Sequence, residues 1–287
     1  MKTKRLLVAL ICALTLFTSC FREIGRGEIV SEIRNVGNFT EIELTNSADV
    51  QILKGNTLKV EVSDYENLIE HLQVETINNK LIIKTKAFRM GLRNSKEKVT
   101  ITIPDILKSI EISGSGNLII TDDFKGIESF KISGSGNISA ISLTNLSNIN
   151  VEINGSGDIE LSGSASNFTS KISGSGNINC GYFETQNATC TISGSGDISI
   201  HAVQNLTATI SGSGNINYYG NPVVSSTITG SGDLNKKNWE NFIKKLLIFK
   251  VLLYEIIVIL IFNKFTGCRF YTIIYMNGIN TRRKIYF

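Results

Sequence analysis

Residues 172–178 of this chain read Ile-Ser-Gly-Ser-Gly-Asn-Ile, and close variants of this phrase occur seven times between residues 112 and 234. Successive copies are 18 to 21 residues apart. A fixed period of this length is typical of a stacked repeat, in which no single unit can bury its own apolar side. The two glycines of the seven copies are Gly114, Gly116, Gly134, Gly136, Gly155, Gly157, Gly174, Gly176, Gly194, Gly196, Gly212, Gly214, Gly230 and Gly232.

Apolar and polar residues alternate on both sides of each Gly-Ser-Gly, which predicts two short strands around a corner. Positive φ angles at both glycines would explain the corner, because other residues adopt them at a cost of about 1–2 kcal/mol. Some twenty residues at about 3.3 Å each make one coil of an all-β parallel β-helix, with coils about 4.8 Å apart. The alternation places on one inward face Ile112, Ile132, Ile153, Ile172, Ile192, Ile210 and Ile228.

The residue after the second glycine is always Asn or Asp, and no two aspartates fall in consecutive coils. We interpret this series as a structural ladder, since a stacked asparagine can hydrogen-bond to the coils above and below it. Calcium is the alternative, but calcium-binding repeats of Gly and Asp have a period of nine and take oxygen ligands from successive turns. We therefore expect no metal and no cofactor. The predicted ladder is Asn117, Asn137, Asp158, Asn177, Asp197, Asn215 and Asp233.

Residues 38–111 lack the phrase but show short alternating runs, and they continue into the repeats without a linker. Terminal repeats of a solenoid are usually atypical. We predict a single domain over residues 38–235, with atypical N-terminal coils over 38–111 and seven repeats over 112–235.

The N-terminus predicts secretion. A basic start and an apolar run of about a dozen residues are followed by Leu-Phe-Thr-Ser-Cys at residues 16–20, which resembles a bacterial lipobox. The resemblance implies removal of residues 1–19 and acylation of Cys20, although Phe17 departs from the usual leucine. An ordinary signal peptide is the alternative. Residues 20–37 would be the tether of an outer-membrane lipoprotein that faces the periplasm or the cell surface.

Residues 236–287 differ in composition from the repeats and carry 10 basic and 2 acidic side chains. Their apolar run, residues 246–262, would span about 25 Å as a helix, which is short for a hydrocarbon core of about 30 Å. Three interpretations stay open. The tail is a membrane helix, an amphipathic helix that caps the open end of the solenoid, or a segment translated past a disrupted reading frame.

Charge and side-chain chemistry limit the function. Residues 21–235 carry 16 basic and 23 acidic side chains, so no basic stripe is present for nucleic acid. Candidate catalytic groups are few and fall at different coil positions. They are His71, Asp122, Asp123, Glu128, Glu160, Glu184 and His201.

Cys180 and Cys190 bracket nine residues that the sequence suggests form a loop, and both fall on the inward phase of their strands. In an oxidising compartment a disulfide between them is one expectation. Buried free thiols are the favoured alternative.

Seven Gly-Ser-Gly-Asn/Asp phrases behind a lipoprotein signal resemble the family called putative auto-transporter adhesin head, or GIN domain. The resemblance covers roughly residues 38–235. It implies a right-handed parallel β-helix at the bacterial cell envelope without established catalytic residues. The expected function is non-enzymatic adhesion or binding, with a membrane held through the lipid anchor and a glycan or another envelope protein as partner. A carbohydrate-active enzyme, a polysaccharide lyase or hydrolase, is the alternative.

Overall fold

The computed structural model describes residues 23–86, 92–104 and 106–238. The chain divides after Lys237 into two units, and the strands lie in the first. The described part contains one 3₁₀ turn, Ile69–His71, and these strands: β1 (Glu23–Ile24), β2 (Ile29–Arg34), β3 (Glu41–Leu44), β4 (Asp49–Lys54), β5 (Lys59–Tyr65), β6 (Leu72–Ile77), β7 (Lys80–Thr85), β8 (Leu92–Arg93), β9 (Lys98–Ile103), β10 (Ser109–Ile112), β11 (Leu118–Ile120), β12 (Ser129–Ile132), β13 (Ile138–Ile153), β14 (Ile159–Ile172), β15 (Ile178–Ile192), β16 (Ile198–Ile210), β17 (Ile216–Tyr219), β18 (Val223–Ile228) and β19 (Leu234–Lys236).

The repeats stack as a parallel solenoid. Strands β13, β14, β15 and β16 pair in parallel, each with the next. The register aligns the same repeat position of each coil, so that Ile153 pairs with Ile172, Ile172 with Ile192 and Ile192 with Ile210. The predicted all-β parallel β-helix with coils of about twenty residues is confirmed, with about six turns.

The core runs along the solenoid axis. Six of the seven predicted inward isoleucines are fully buried, but Ile228 is 44% exposed. The prediction was wrong for Ile228 because β18 is covered on one side only: it pairs with β16, and no further described strand stacks on it. An inward position is buried only when a coil lies on both sides.

Large and small side chains alternate inside the core. Phe168 pairs with Ala188 in the next coil, whereas Gly163 pairs with Phe183. The coil of β14 has the small residue first and the ring second, and the coil of β15 has the ring first and the small residue second. The two rings lie 5.8 Å apart at an interplanar angle of 47°, a tilted arrangement that aromatic pairs favour.

Glycine is needed at the corners for a different reason from the positive φ angles that the sequence predicted. Positive φ occurs among the described glycines at Gly27, Gly126, Gly163 and Gly220, and at none of the fourteen corner glycines. An added Cβ at Gly176 would lie 2.8 Å from the carbonyl carbon of the stacked Gly157, and closer still to its oxygen. Every other corner glycine meets the backbone of the coil below in the same way. Glycine is required because stacked corners approach each other too closely for a side chain.

The N-terminal part combines coils with antiparallel strands. Strands β3 and β4 pair in parallel with β10 and β11, and on their other side with β7 and β9. Strand β2 pairs antiparallel with β5, and β5 with β9. Residues 29–34 were expected to belong to the tether, but they are β2, because pairing with β5 satisfies their backbone groups and Val30 packs against the core.

Candidate binding surface

The corner ladder joins the coils by hydrogen bonds. The Asn137 side chain donates to Oδ1 of Asn117 (2.9 Å), and its own Oδ1 accepts the backbone N–H of Asp158 (2.9 Å). Oδ1 of Asp158 then accepts both the backbone N–H of Asn177 (2.7 Å) and its Nδ2 (3.0 Å). The pattern continues through Asp197, Asn215 and Asp233. Because the ladder satisfies backbone N–H groups at the corners, its role in the fold is structural.

One rung of this ladder lies outside the seven phrases. The Nδ2 of Asn117 donates to Oδ1 of Asp49 (2.9 Å), so Asp49 begins the ladder. Residues 45–49, Thr-Asn-Ser-Ala-Asp, occupy the place of Ser-Gly-Ser-Gly-Asn one coil earlier, since Leu44 pairs with Ile112 and Val50 with Leu118. The alternating strands on either side of this segment were the sequence signal, and the missing glycines concealed it.

Glu97 closes the N-terminal end of the corner stack. Its carboxylate accepts hydrogen bonds from Nδ2 of Asn46 (3.2 Å), Oγ of Ser47 (3.4 Å) and Oγ1 of Thr85 (3.0 Å). Burial raises the pKa of Glu97, the Thr85 hydrogen bond opposes this, and the negative charge of Asp64 adds to it. This buried carboxylate therefore caps the corner stack.

A second asparagine ladder was missed by sequence analysis. Nδ2 of Asn167 donates to Asn148 (2.9 Å), Asn187 to Asn167 (3.1 Å), and Asn205 to Asn187 (2.8 Å). Each residue stands five positions before the first isoleucine of its repeat, and that spacing was the available signal. Its hydrogen bonds join side chains to one another and satisfy no buried backbone group, although asparagine is disfavoured in strands. This second ladder, unlike the corner ladder, has no evident structural necessity.

A row of small polar side chains runs beside the second ladder, two residues further along each strand. The register aligns Asn150, Thr169, Thr189, Thr207 and Ser225, all of them exposed. We call the second ladder and this row together the polar strip. The strip continues into a groove of about 820 Å³, which contains Asn145, Asn148, Asn150, Asn167 and Thr169 in its lining.

One row of side chains loses its charges along the solenoid. The next row alternates in sign over Glu111, Lys131, Glu152 and Lys171, with Lys131 bonded to Glu111 at 2.9 Å. The hydrogen bond to Glu111 and its charge raise the pKa of Lys131. From the next coil onward the row is threonine, and residues 172–235 contain neither Lys nor Arg. These residues therefore offer no Lys or Arg to a phosphate or an acidic sugar, and the next basic side chains are Lys236 and Lys237 in the last described coil.

A bulge brings together two candidate catalytic residues that the sequence had separated. Cys180 pairs with Ile200, but the next pair is Glu184 with His201. Residues 181–183 therefore form a bulge in β15 that has no counterpart in β16. His201 in turn pairs with Tyr219 of the next coil. Burial lowers the pKa of His201, while the charge of Glu184 opposes this. Bulges are over-represented near functional sites, and their register cannot be read from repeat spacing.

The remaining candidate catalytic residues have separate surroundings. Asp122 accepts the backbone N–H of Lys54 (2.8 Å), and Asp123 accepts the Oγ1 of Thr144 (2.6 Å). His71 is buried and lies 3.1 Å from a carboxylate oxygen of Glu23. Glu128 lines the groove, and Glu160 pairs with Asn179. Among the described residues no three His, Cys, Asp or Glu side chains form a group that could hold a metal ion.

The two cysteines are buried free thiols, so the disulfide considered from sequence is not formed. Residues 180 and 190 lie within one continuous strand, β15, rather than on either side of a loop. They also belong to different stacks, since Cys180 pairs with Ile200 and Cys190 with Ala208. An extended strand holds the two sulfur atoms apart.

Both thiols are expected to resist alkylation in the native protein. Burial raises the pKa of Cys180 far above its usual value and that of Cys190 to about 12, and the thiolate is the reactive form. Iodoacetamide at neutral pH should leave both unmodified until denaturant is added, when labelling should become complete. Peptide mass spectrometry separates them from the other three cysteines. Native labelling, or a peptide linked through both residues, would contradict this assignment.

The predictions for the two ends of the chain fall largely outside the described residues. Cys20, the signal segment 1–19 and residues 239–287 of the tail lie outside them. Within the ranges that are described, no helix has the length and apolar character required to cross a bilayer.

Solved structures of similar proteins share this solenoid. A structure described as a putative adhesin from Bacteroides fragilis is 25% identical, with a TM-score of 0.67 over 75% of this chain and 99% of that one. One described as a putative lipid binding protein from Parabacteroides distasonis is 28% identical, with a TM-score of 0.59 over 76% and 100%. A putative adhesin from Parabacteroides merdae, 24% identical with a TM-score of 0.56 over 75% and 99%, shows the fold alone.

A search of curated proteins finds no match to this chain. The sequence profile of the family described as "Putative auto-transporter adhesin, head GIN domain" matches residues 38–222. This range includes the first N-terminal coil, the degenerate corner at residues 45–49 and six of the seven phrases. The chain therefore belongs to the family described as putative auto-transporter adhesin, head GIN domain.

Proposed function

We propose that this protein is a non-enzymatic adhesion module of the bacterial cell envelope, held at a membrane by a lipid on Cys20, and that it binds an extended uncharged polysaccharide. The polar strip is the observation that supports this proposal most strongly. It repeats one amide and one small polar side chain in each of several coils, at a spacing of about 4.8 Å. Family membership is consistent with a protein of the envelope or cell surface.

The amides of the second ladder are pre-organised for binding. Each inner asparagine uses one N–H and one oxygen lone pair on its neighbours, and its second N–H and second lone pair are left for a ligand. Their side-chain rotamers are already held, so binding has a smaller entropic cost than with free side chains. A sugar hydroxyl is both donor and acceptor, which matches this pattern in successive coils.

Substitution in the two ladders separates binding from folding. Asn187→Thr removes an amide of the second ladder and keeps a residue that strands favour. It should weaken retention of the full-length protein on immobilised neutral polysaccharides (mannan, xylan, β-glucan) at least threefold, with little change in the unfolding midpoint. The matched control, Asn177→Thr in the corner ladder, should lower stability by about 1 kcal/mol and leave retention unchanged.

Three results would contradict the proposal. No retention of the wild-type protein on any of the three polysaccharides would oppose binding of an uncharged glycan. New reducing ends or unsaturated products would instead indicate an enzyme. A protein that fails to incorporate labelled palmitate, or incorporates it equally as Cys20→Ser, would oppose the anchor.

A further inference from the structure

Four side chains of the last coils form a compact group around the β15 bulge, which we call the tyrosine patch: Tyr182, Glu184, His201 and Tyr219. Glu184, His201 and Tyr219 occupy one outward row in three successive coils. Tyr182 lies inside the bulge, and its phenol is close enough to that of Tyr219 to raise the pKa of Tyr219, which burial raises most.

Two glycines shape the patch. A Cβ added at Gly181 would stand 3.2 Å from Cε2 of Tyr219, so the ring of Tyr219 lies against the bare backbone of β15. A Cβ at Gly220, where φ is +94°, would stand 3.2 Å from Cδ2 of His201. The ring and the imidazole therefore each lie against backbone that carries no side chain, at Gly181 and at Gly220.

The patch exposes apolar surface next to polar groups. Tyr182 is 39% exposed, and so is Val203, two residues beyond His201 in β16. Tyrosine combines a large rigid apolar face with a hydroxyl, and it is enriched where binding energy is concentrated. Nothing in the packing of the core requires an aromatic side chain at position 182, since Tyr182 points away from it.

The polar groups of the patch match a sugar. A pyranose presents an apolar face of C–H groups, which packs against an aromatic ring, and a rim of hydroxyls that donate and accept. Glu184 supplies an acceptor, and a neutral His201 supplies one donor and one acceptor. Asn187 and Asn205 of the second ladder follow three and four residues further along the same strands.

The charge of the patch favours a neutral ligand over other flat ligands. A nucleic acid base also stacks on tyrosine, but its phosphates need a cationic groove. Residues 172–235 contain no Lys or Arg, and Lys236, which pairs with Tyr218 in the last coil, donates to Oδ1 of Asn221. A uronic acid chain is disfavoured because the charged member of the patch itself is the carboxylate of Glu184.

We propose that the tyrosine patch is a subsite for one pyranose ring of the uncharged polysaccharide, stacked on Tyr182 and Tyr219 and hydrogen-bonded to Glu184 and His201. The inference rests on the proposed function, since it adds a ring-stacking position at the edge of the polar strip. The patch would orient the sugar chain as it enters the strip.

The test uses calorimetric titration of the full-length protein with cellohexaose, mannohexaose and xylohexaose, and with oligogalacturonate as the acidic counterpart. Tyr182→Leu removes the aromatic face at similar volume and should weaken binding of the best neutral hexasaccharide about tenfold, whereas Tyr182→Phe should stay within about twofold. The exposed position of Tyr182 should leave the unfolding midpoint of both variants close to wild type.

Failure of this inference and failure of the proposed function give different results. If Tyr182→Leu and Tyr219→Leu bind normally while Asn187→Thr weakens binding, the patch is not a subsite and the proposed function stands. If no neutral hexasaccharide binds the wild-type protein, both fail. Tighter binding of oligogalacturonate than of every neutral hexasaccharide would also overturn the patch proposal.

Discussion

Gly176→Ala is expected to destabilise the solenoid by about 3 kcal/mol or more, the upper part of the range for overpacking. The added methyl carbon would lie 2.8 Å from the carbonyl carbon of Gly157 and closer still to its oxygen. Backbone of a stacked coil cannot rotate aside as a side chain can. Relief requires the two corners to separate, which would also stretch the Asn177–Asp158 hydrogen bonds.

Chemical denaturation measures this effect, with Gly37→Ala as the matched control. At Gly37 the new Cβ would stand 3.7 Å from Cβ of Thr76, an ordinary contact, and φ is outside the left-handed region. The control should change the free energy of unfolding by less than about 1 kcal/mol. Equal effects at the two positions would contradict the explanation of the corner glycines by close approach.

Phe183→Ala is expected to lower the free energy of unfolding by about 3–5 kcal/mol. The ring is fully buried, belongs to a residue that pairs with Gly163 in the coil below, and lies 5.8 Å from the ring of Phe168. The surrounding strands are held by their ladders and cannot collapse into the cavity.

The neighbouring aromatic residue provides the control for this substitution. Tyr182→Ala removes a ring of similar size from the surface, and it should cost less than about 1 kcal/mol in the same denaturation experiment. A smaller loss at Phe183 than at Tyr182 would mean that the core relaxes around the missing ring, against the interdigitated packing described for these coils.

Repeat spacing was sufficient to predict the fold but not the arrangement of side chains on the surface. The period of the phrase predicted the coil length, and alternation predicted the inward isoleucines, because stacking in register gives each repeat position the same surroundings. The asparagines of the second ladder also recur once per coil, but the residues around them vary more than those of the phrase, so their spacing was not recognised as a ladder. The degenerate corner at residues 45–49 contains no glycine, and it lies much more than one repeat period before the first phrase at residue 112.

The tyrosine patch was beyond sequence reasoning for a different reason. Counted from their corner glycines, Glu184 and His201 fall at different repeat positions, and only the bulge after Cys180 brings them side by side. The choice between a disulfide and free thiols likewise depended on whether residues 181–189 form a loop or a strand.

The Gly-Ser-Gly phrase by itself determined the solenoid, its coil length and the family. A repeat of fixed period cannot bury its apolar side alone, so successive repeats must stack as coils. Tertiary structure decided why the phrase contains glycine. Each corner lies against the carbonyl groups of the coil before it, at a distance that no side chain permits. Tertiary structure also decided which side chains meet at the surface, since that depends on register shifts within a coil, and repeat spacing does not record them.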